Sequence, residues 1–232
     1  KFPYLDVPEF KINELDAIIL SHAHLDHSGL IPYLFKMGYR GPIYMTAPTR
    51  DLAAILALDF IGVAYKQATA PLFSSTDIKE MVKHTICLDF NEVTDIAPDM
   101  RITFYNSGHA LGSAIVHINI GNGAHNLVYS ADFKYIKTRL LDKAVENFPR
   151  LETMIIEATY GGKDNVLPLR KESEELLVSE IRQTIEKGGK VLIPELGLGR
   201  AQETMLILQE AMKNNEVPNV PVYLDGMIWD IN

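Results

Sequence analysis

Three histidines and one aspartate lie within six positions of the segment SHAHLDHSGL, directly after a short apolar run. These residues are His22, His24, Asp26 and His27. Neutral imidazole and carboxylate are ligands that Zn²⁺ accepts. Alternate residues of an extended segment point to one side, so His22 and His24 can serve one metal position, while a turn lets Asp26 and His27 face a second. The spacing therefore predicts a loop that holds two metal ions.

Two other interpretations apply to a histidine-rich segment. A zinc-binding helix holds one ion with two histidines four positions apart, which is not the spacing here. Polar loops also contain histidines that bond to backbone groups, and for a single histidine this is the usual situation. Four ligand-type residues within six positions favour the metal site over such a loop.

Two later residues have the type and position of further ligands. His109 lies in NSGHALGSA, after the strand pattern RITFYNS, and Gly108 and Gly112 free the backbone around it. Asp132 ends the strand pattern NLVYSAD, where its carboxylate can bridge two cations. The sequence thus predicts that loops at several strand ends contribute to one metal centre.

Strand and helix patterns alternate along the chain, which predicts a mixed α/β fold that brings such strand ends together. The strand patterns are Leu15–Leu20, GPIYMT, HTICLDF, RITFYNS, SAIVHINI, HNLVYSAD, LETMIIE, KVLIPE and VPVYLDG. The helical patterns are residues 29–37, 49–65 and 74–82, RKESEELLVSEIRQTIEKGG and GRAQETMLILQEAMKNN. The turn Gly121-Asn122-Gly123 predicts an antiparallel hairpin between SAIVHINI and HNLVYSAD. A new strand-helix-strand unit is predicted to begin near residues 190–199.

Composition limits the class of protein. The chain has 232 residues, of which 47% are hydrophobic, so it can bury a sizeable core. The net charge of −8 gives no support for nucleic-acid binding through a broad basic surface, so a polyanion would have to be held locally. Cys87 is the single cysteine, which excludes an internal disulfide and a cysteine-built zinc site. A cytoplasmic, reducing location is expected, with no membrane partner.

The order His-x-His-x-Asp-His, then a Gly-His loop, then an aspartate at a strand end resembles the metallo-β-lactamase superfamily. That resemblance implies an αββα sandwich with a binuclear site at one edge of the sandwich. The segments IIEATYGG and VLIPELGLGRAQE resemble the β-CASP nucleases, in which an acid precedes Thr-Tyr-Gly and a Gly-Arg-x-Gln-Glu opens an inserted second domain. SHAHLDHSGLIPYLFKMGYRGPIYMTAPTRDL and VPVYLDGMIW resemble archaeal homologues of the endonuclease subunit of the cleavage and polyadenylation specificity factor.

The resemblance also implies a domain organisation. Residues 1–195 correspond to a metallo-β-lactamase domain that lacks its first strands, and residues 196–232 to the truncated start of a β-CASP domain. The family's first aspartate motif is expected upstream of Lys1, and its two late histidine motifs beyond Asn232. The chain is therefore expected to be a fragment, without activity of its own.

Site residues follow from the same resemblance. One zinc ion is assigned to His22, His24 and His109, a second to Asp26 and His27, and Asp132 bridges the two Zn²⁺ ions of the complete protein. Asp26 is expected to orient or deprotonate the attacking water. Glu157 is expected to position a late histidine that assists the leaving group.

The implied function is that of a zinc-dependent ribonuclease of β-CASP type. It would be an endonuclease, with 5′ exonuclease activity as a further option, in RNA 3′-end processing or transcription termination. Single-stranded RNA is the expected partner. RNA polymerase and other RNA-processing factors are further candidate partners. A homodimer of the complete protein is a further option. Two alternatives stay open: a small-molecule ester or thioester hydrolase of the same superfamily, and a catalytically inactive RNA-binding scaffold subunit.

Several other polar residues have a simpler interpretation. His84, His117 and His125 have no ligand-type neighbours, so hydrogen-bonded or surface roles are expected for them. Arg200 follows a glycine-rich turn at a predicted helix start and can meet a phosphate, but such turns are more often structural. Tyr160 and Lys134 are likewise expected to pack or to be solvated more often than to touch substrate.

Overall fold

The structure is a computed structural model that describes residue 5 and residues 7–232. The chain divides into two compact units. The first comprises the described residues up to Ile136 together with Lys143–Ile156, and the second comprises Lys137–Asp142 and Glu157–Asn232. The domain assignment based on the family resemblance, with its boundary at residue 195, stays a prediction.

A short parallel sheet begins the first unit. Its strands, in the spatial order β1-β2-β3, are β1 (Ile18–Ile19), β2 (Ile43–Met45) and β3 (Thr85–Cys87). Ile18 pairs with Ile43, and Tyr44 pairs with Ile86. All three strands lie within predicted strand patterns, so those predictions are confirmed with shorter bounds. Such shortening is expected because a strand extends only as far as its hydrogen-bonded neighbour.

A five-stranded sheet forms the second layer of the first unit, in the order β4-β5-β6-β7-β8. Its strands are β4 (Val93–Ala97), β5 (Met100–Asn106), β6 (Ala114–Ile120), β7 (His125–Tyr129) and β8 (Thr153–Ile155). Neighbouring strands are antiparallel except β8, which runs parallel to β7. Gly121–Gly123 forms a single 3-10 turn between β6 and β7, which confirms the predicted hairpin.

Four helices belong to the first unit and three to the second. They are α1 (Leu25–Ser28), α2 (Ile31–Lys36), α3 (Ala47–Lys66), α4 (Ser75–Lys83), α5 (Arg170–Glu186), α6 (Arg200–Lys213) and α7 (Met227–Ile231). The five predicted helices are confirmed, and a further 3-10 turn occupies Ile12–Glu14. No helix in the described part of the chain is long and apolar enough to cross a membrane.

The two sheets of the first unit pack face to face around one apolar cluster. Tyr44 of the parallel sheet meets Ile102, Phe104 and Val116 of the five-stranded sheet, and Ile19 packs against the same cluster. The opposite face of the five-stranded sheet is covered by the segment that follows β7, through a second cluster that includes Val128 and Ala144. The mixed α/β sandwich fold predicted for this chain is confirmed.

Two strand predictions in the second unit are wrong. Of the described residues, 190–195 (KVLIPE) and 220–226 (VPVYLDG) form no strand. Leu192 is 91% exposed and Tyr223 is 88% exposed, so neither segment is covered as a buried strand would be. An apolar pattern specifies a strand only where a neighbouring strand supplies the hydrogen bonds. The strand β4, by contrast, was not predicted.

The segment Lys137–Asp142 is joined to the helices of the second unit by Arg139. Its guanidinium donates to Glu174 Oε2 at 2.7 Å and also bonds to Glu210. These two bonds raise the pKa of Arg139 above its ordinary value, so the side chain stays charged. Because α5 carries Glu174 and α6 carries Glu210, one cation connects both helices to the segment.

Replacing Arg139 with alanine is expected to weaken the second unit by about 1 kcal/mol, since a charge pair in a network contributes more than an isolated surface pair. Hydrogen exchange of the α5 and α6 amides, followed by mass spectrometry, measures this change. Lys137→Ala in the same segment is the control. Both side chains of the Lys137–Asp142 ion pair are exposed to solvent, so its loss should have little effect on stability. Equal exchange rates in the two variants would contradict the proposed role of Arg139.

Candidate metal centre

Three segments of the first unit carry the predicted ligands. The chain leaves β1 and reaches His22 and His24, and Asp26 and His27 follow at once in the single-turn helix α1. His109 lies in the connection between β5 and β6, and Asp132 lies three residues after the end of β7. The fold therefore brings together all six residues that the sequence predicted as ligands.

Four of these residues form a compact donor group. His22, His24, His109 and Asp132 each place one ligand atom within 4.8 Å of all the others. His109 Nε2 lies 3.0 Å from His24 Nδ1 and 3.4 Å from Asp132 Oδ2. His22 Nε2 lies 3.8 Å from the same Asp132 oxygen. Three imidazoles and one carboxylate oxygen around a common point are a donor set that suits zinc.

The other oxygen of Asp132 faces a second donor pair. Asp132 Oδ1 lies 3.6 Å from His27 Nε2, and Asp26 Oδ2 lies 3.5 Å from that same nitrogen. Asp132 thus divides its two oxygens between two groups of donors, with His22 and His109 on one side and His27 on the other. A carboxylate in this position can contact two cations at once.

His22 is the most buried residue of the cluster, with no exposed surface. Burial, with a smaller contribution from the neighbouring imidazoles of His27, His109 and His24, lowers the pKa of His22 to about 2. The ring is therefore neutral and has a lone pair to offer. Ser21 Oγ lies 3.1 Å from His22 Nδ1, whereas within the described residues His22 Nε2 is buried without a hydrogen-bond partner.

A buried polar nitrogen without a partner is costly unless a ligand occupies it. In His22 that nitrogen is the one directed at Asp132. If Nδ1 donates its proton to Ser21 Oγ, Nε2 carries the lone pair that a cation needs. The residues present therefore fit a divalent metal ion.

Backbone hydrogen bonds connect the loops that carry the ligands. Lys134 N donates to Ser107 O at 2.8 Å, which ties the segment after Asp132 to the His109 loop. Ala114 N donates to Ser21 O at 2.9 Å, which ties the other end of the His109 loop to the residue before His22. Each ligand loop is thus held against another one.

Sequence patterns did not single out Tyr129, the last residue of β7. The pKa of Tyr129 is raised by burial and by the negative charges of Asp132 and Asp26. Its hydroxyl therefore stays protonated near neutral pH and can donate a hydrogen bond. The available signal was its position three residues before Asp132, on the same strand end.

The other residues considered from the sequence have separate surroundings. Glu157 belongs to the second unit, where its Oε2 accepts a hydrogen bond from Thr159 N at 2.8 Å, and its catalytic role stays a prediction. Arg200 is the exposed first residue of α6. The three histidines expected outside the site bond as predicted, to Gly41 O, Arg150 O and Thr153 Oγ1 for His84, His117 and His125 respectively.

Comparison with known proteins gives consistent matches. A family model for the metallo-beta-lactamase superfamily domain matches residues 4–157. Similar relatives include proteins named transcription termination factor FttA from Methanothermobacter thermautotrophicus, 53% identical over 100% of this chain, and from Methanosarcina mazei, 54% identical over 98%. The relative of the same name from Thermococcus kodakarensis is 53% identical over 99%. Each match covers 36% of the relative, so the chain spans about a third of the length of these proteins.

Proposed function

This chain belongs to the metallo-beta-lactamase superfamily, and from that premise we propose that it forms the metal-binding part of a zinc-dependent ribonuclease. The proposed reaction is hydrolysis of phosphodiester bonds in single-stranded RNA. We propose endonuclease action, with 5′ exonuclease action as a second mode, during RNA 3′-end processing or transcription termination. The observation that carries the proposal is the position of Asp132, one of whose oxygens faces His22 and His109 while the other faces His27.

Each ligand residue has a distinct proposed role. His22, His24 and His109 would hold one zinc ion, Asp26 and His27 would hold a second, and Asp132 would contact both. Two zinc ions, when bound, supply Lewis acidity for hydrolysis of a phosphodiester. The burial of His22 keeps its ring neutral, which preserves it as a ligand.

Asp26 is the proposed proton acceptor. Its side chain is 78% exposed, yet its Oδ2 lies only 3.5 Å from His27 Nε2, so the carboxylate faces both His27 and solvent. A carboxylate placed there can orient a water molecule and take its proton.

Two sequence features support RNA as the substrate class. The segments around Glu157 and Arg200 resemble those of β-CASP nucleases, and the relatives named above carry the name of a transcription termination factor. With a net charge of −8, the protein would hold RNA through a few local contacts rather than a basic surface. We propose RNA polymerase as a further partner, because the relatives are named as transcription termination factors.

We expect the complete protein that contains this chain to cleave labelled single-stranded RNA and to leave small acyl esters and thioesters intact. A chelator should abolish cleavage, and added zinc should restore it. Gel analysis of the labelled RNA, beside a spectrophotometric ester assay, measures both activities, with His22→Ala as the inactive control. Ester turnover without RNA cleavage would favour the small-molecule hydrolase, whereas RNA binding without cleavage at full zinc occupancy would favour the scaffold protein.

A further inference from the structure

Two buried threonines at the start of α3 contact the loop that carries His109. Thr46 is the N-cap residue of α3, and Thr49 lies in its first turn. Thr46 Oγ1 lies 2.7 Å from the carbonyl oxygen of Gly112, and Thr49 Oγ1 lies 3.0 Å from the same oxygen. Both side chains are buried, with 4% and 0% of their surface exposed. Two hydroxyls therefore converge on one backbone carbonyl far from them in sequence.

Gly112 has a conformation and surroundings that suit this contact. Its φ of +78° lies in the left-handed region, which glycine adopts without strain. A Cβ atom at this position would lie 2.6 Å from Thr46 Oγ1 and 2.9 Å from Thr49 N. The loop therefore lies so close to the start of α3 that only glycine fits at position 112 without a steric clash.

Hydrogen bonds within the loop connect the residue next to Gly112 with the backbone next to His109. Ser113, next to Gly112, accepts a hydrogen bond at its Oγ from Ala110 N at 2.9 Å, and Ser107 Oγ donates to it at 2.8 Å. Ala110 directly follows His109. The loop from Ser107 to Ser113 is therefore closed on itself, and the threonine pair attaches it to a helix of 20 residues.

His109 needs such an anchor if it is to bind a metal ion. It lies in a loop with a glycine on either side, Gly108 and Gly112. Glycine gives the backbone of such a loop more conformational freedom than other residues do. Its Nε2 nevertheless lies 3.0 Å from His24 Nδ1, in a group whose ligand atoms all fall within 4.8 Å. Residues that orient a ligand commonly change metal affinity by about 10- to 100-fold when they are removed.

We propose that Thr46 and Thr49 are positioning residues for the metal centre, which hold His109 in ligand geometry through the carbonyl of Gly112. The role rests on the proposed zinc site and adds to it two residues at the start of α3 that are not among the proposed ligands. It predicts that loss of either hydroxyl weakens the ion bound by His22, His24 and His109. The ion bound by Asp26 and His27 should be affected less.

The test compares Thr49→Val, which keeps the shape of the side chain, with Thr49→Ser, which keeps the hydroxyl. Zinc affinity is measured by competition with a chromophoric chelator, and ligand geometry is measured from the visible absorption of the Co²⁺-substituted protein. We expect Thr49→Val to weaken one zinc equivalent by about tenfold or more and to change the cobalt spectrum. Thr49→Ser should restore both readouts. Thr46→Val carries the same expectation and serves as the second variant.

Thr103→Val is the matched control, because Thr103 is a buried threonine of β5 outside the loop contact. Melting temperatures of the metal-free proteins show whether each variant folds. Wild-type zinc affinity and an unchanged cobalt spectrum in folded Thr49→Val would overturn the positioning role alone. Equal losses in Thr49→Val and Thr103→Val would also overturn it, in favour of a general stability effect. A wild-type protein without zinc would overturn the metal site itself.

Discussion

In the complete protein, replacing Asp132 with alanine is expected to remove zinc from both proposed positions, from about two ions per chain to less than one. The reason is the division of its oxygens: Oδ2 lies 3.4 Å from His109 Nε2, and Oδ1 lies 3.6 Å from His27 Nε2. No other carboxylate among the described ligand residues faces both groups in this way. Elemental analysis of the purified protein after dialysis measures the change.

Two further variants test whether the loss of both zinc ions is specific to Asp132. His27→Ala is expected to lose only the ion assigned to Asp26 and His27, since His22, His24 and His109 stay in place. Asp89→Ala removes an exposed carboxylate from the same unit and should keep the full zinc content. If Asp132→Ala lost one ion and kept the other, the bridging role would be wrong.

RNA cleavage by the complete protein is expected to fall by about 10³-fold or more in Asp132→Ala, equivalent to at least about 4 kcal/mol of transition-state stabilisation. The loss is this large because hydrolysis by a binuclear site depends on both ions. Excess zinc should not restore the rate, whereas it should partly restore a variant that only weakens binding. Single-turnover cleavage of labelled RNA at increasing zinc concentration separates these cases.

The cluster of donor residues was predictable from the sequence because its members are polar residues of a narrow type at the ends of apolar segments. Residue types and spacing within SHAHLDHSGL indicated two groups of donors, and the structure brings His24 within 3.0 Å of His109. That distance joins two residues 85 positions apart, which depends on how the two sheets pack. Motif spacing alone carries no information on such packing.

The threonine pair illustrates what the sequence could not indicate. Thr46 and Thr49 have the spacing of an ordinary helix start, with the Thr46 side chain accepting a hydrogen bond from Thr49 N. Nothing in that local pattern shows that both hydroxyls also meet the carbonyl of Gly112, 63 residues beyond Thr49. Only the tertiary fold reveals this second use of a common capping motif.

Most helices and strands of the fold were also predictable from the sequence. The errors in that prediction have a physical cause. β4 was missed because it is an edge strand in which the polar Thr94 is half-buried and the apolar Val93 is exposed, so hydrophobicity does not follow the alternation in burial. KVLIPE has the apolar pattern of a strand, yet its Leu192 is almost fully exposed. In both cases the deciding factor is the neighbouring strand, which a local pattern does not contain.

Asp26→Asn tests the proposed chemistry apart from metal binding. Asparagine keeps the shape of the side chain and one carbonyl oxygen, but it cannot accept a proton from water at neutral pH. RNA cleavage is expected to fall by about 10²- to 10⁴-fold, the usual contribution of a positioned general base. Folding should be unaffected because the side chain is 78% exposed.

The zinc content separates the two roles of Asp26. The ion held by His22, His24 and His109 should remain, since none of its ligands changes, and Asp89→Asn should match the wild-type protein in rate and in zinc content. If excess zinc restored cleavage by Asp26→Asn, Asp26 would act as a ligand only. If the rate stayed within a few-fold of wild type at full zinc occupancy, another group must accept the proton. A rate that stays low at full occupancy is the result expected of a carboxylate that activates water.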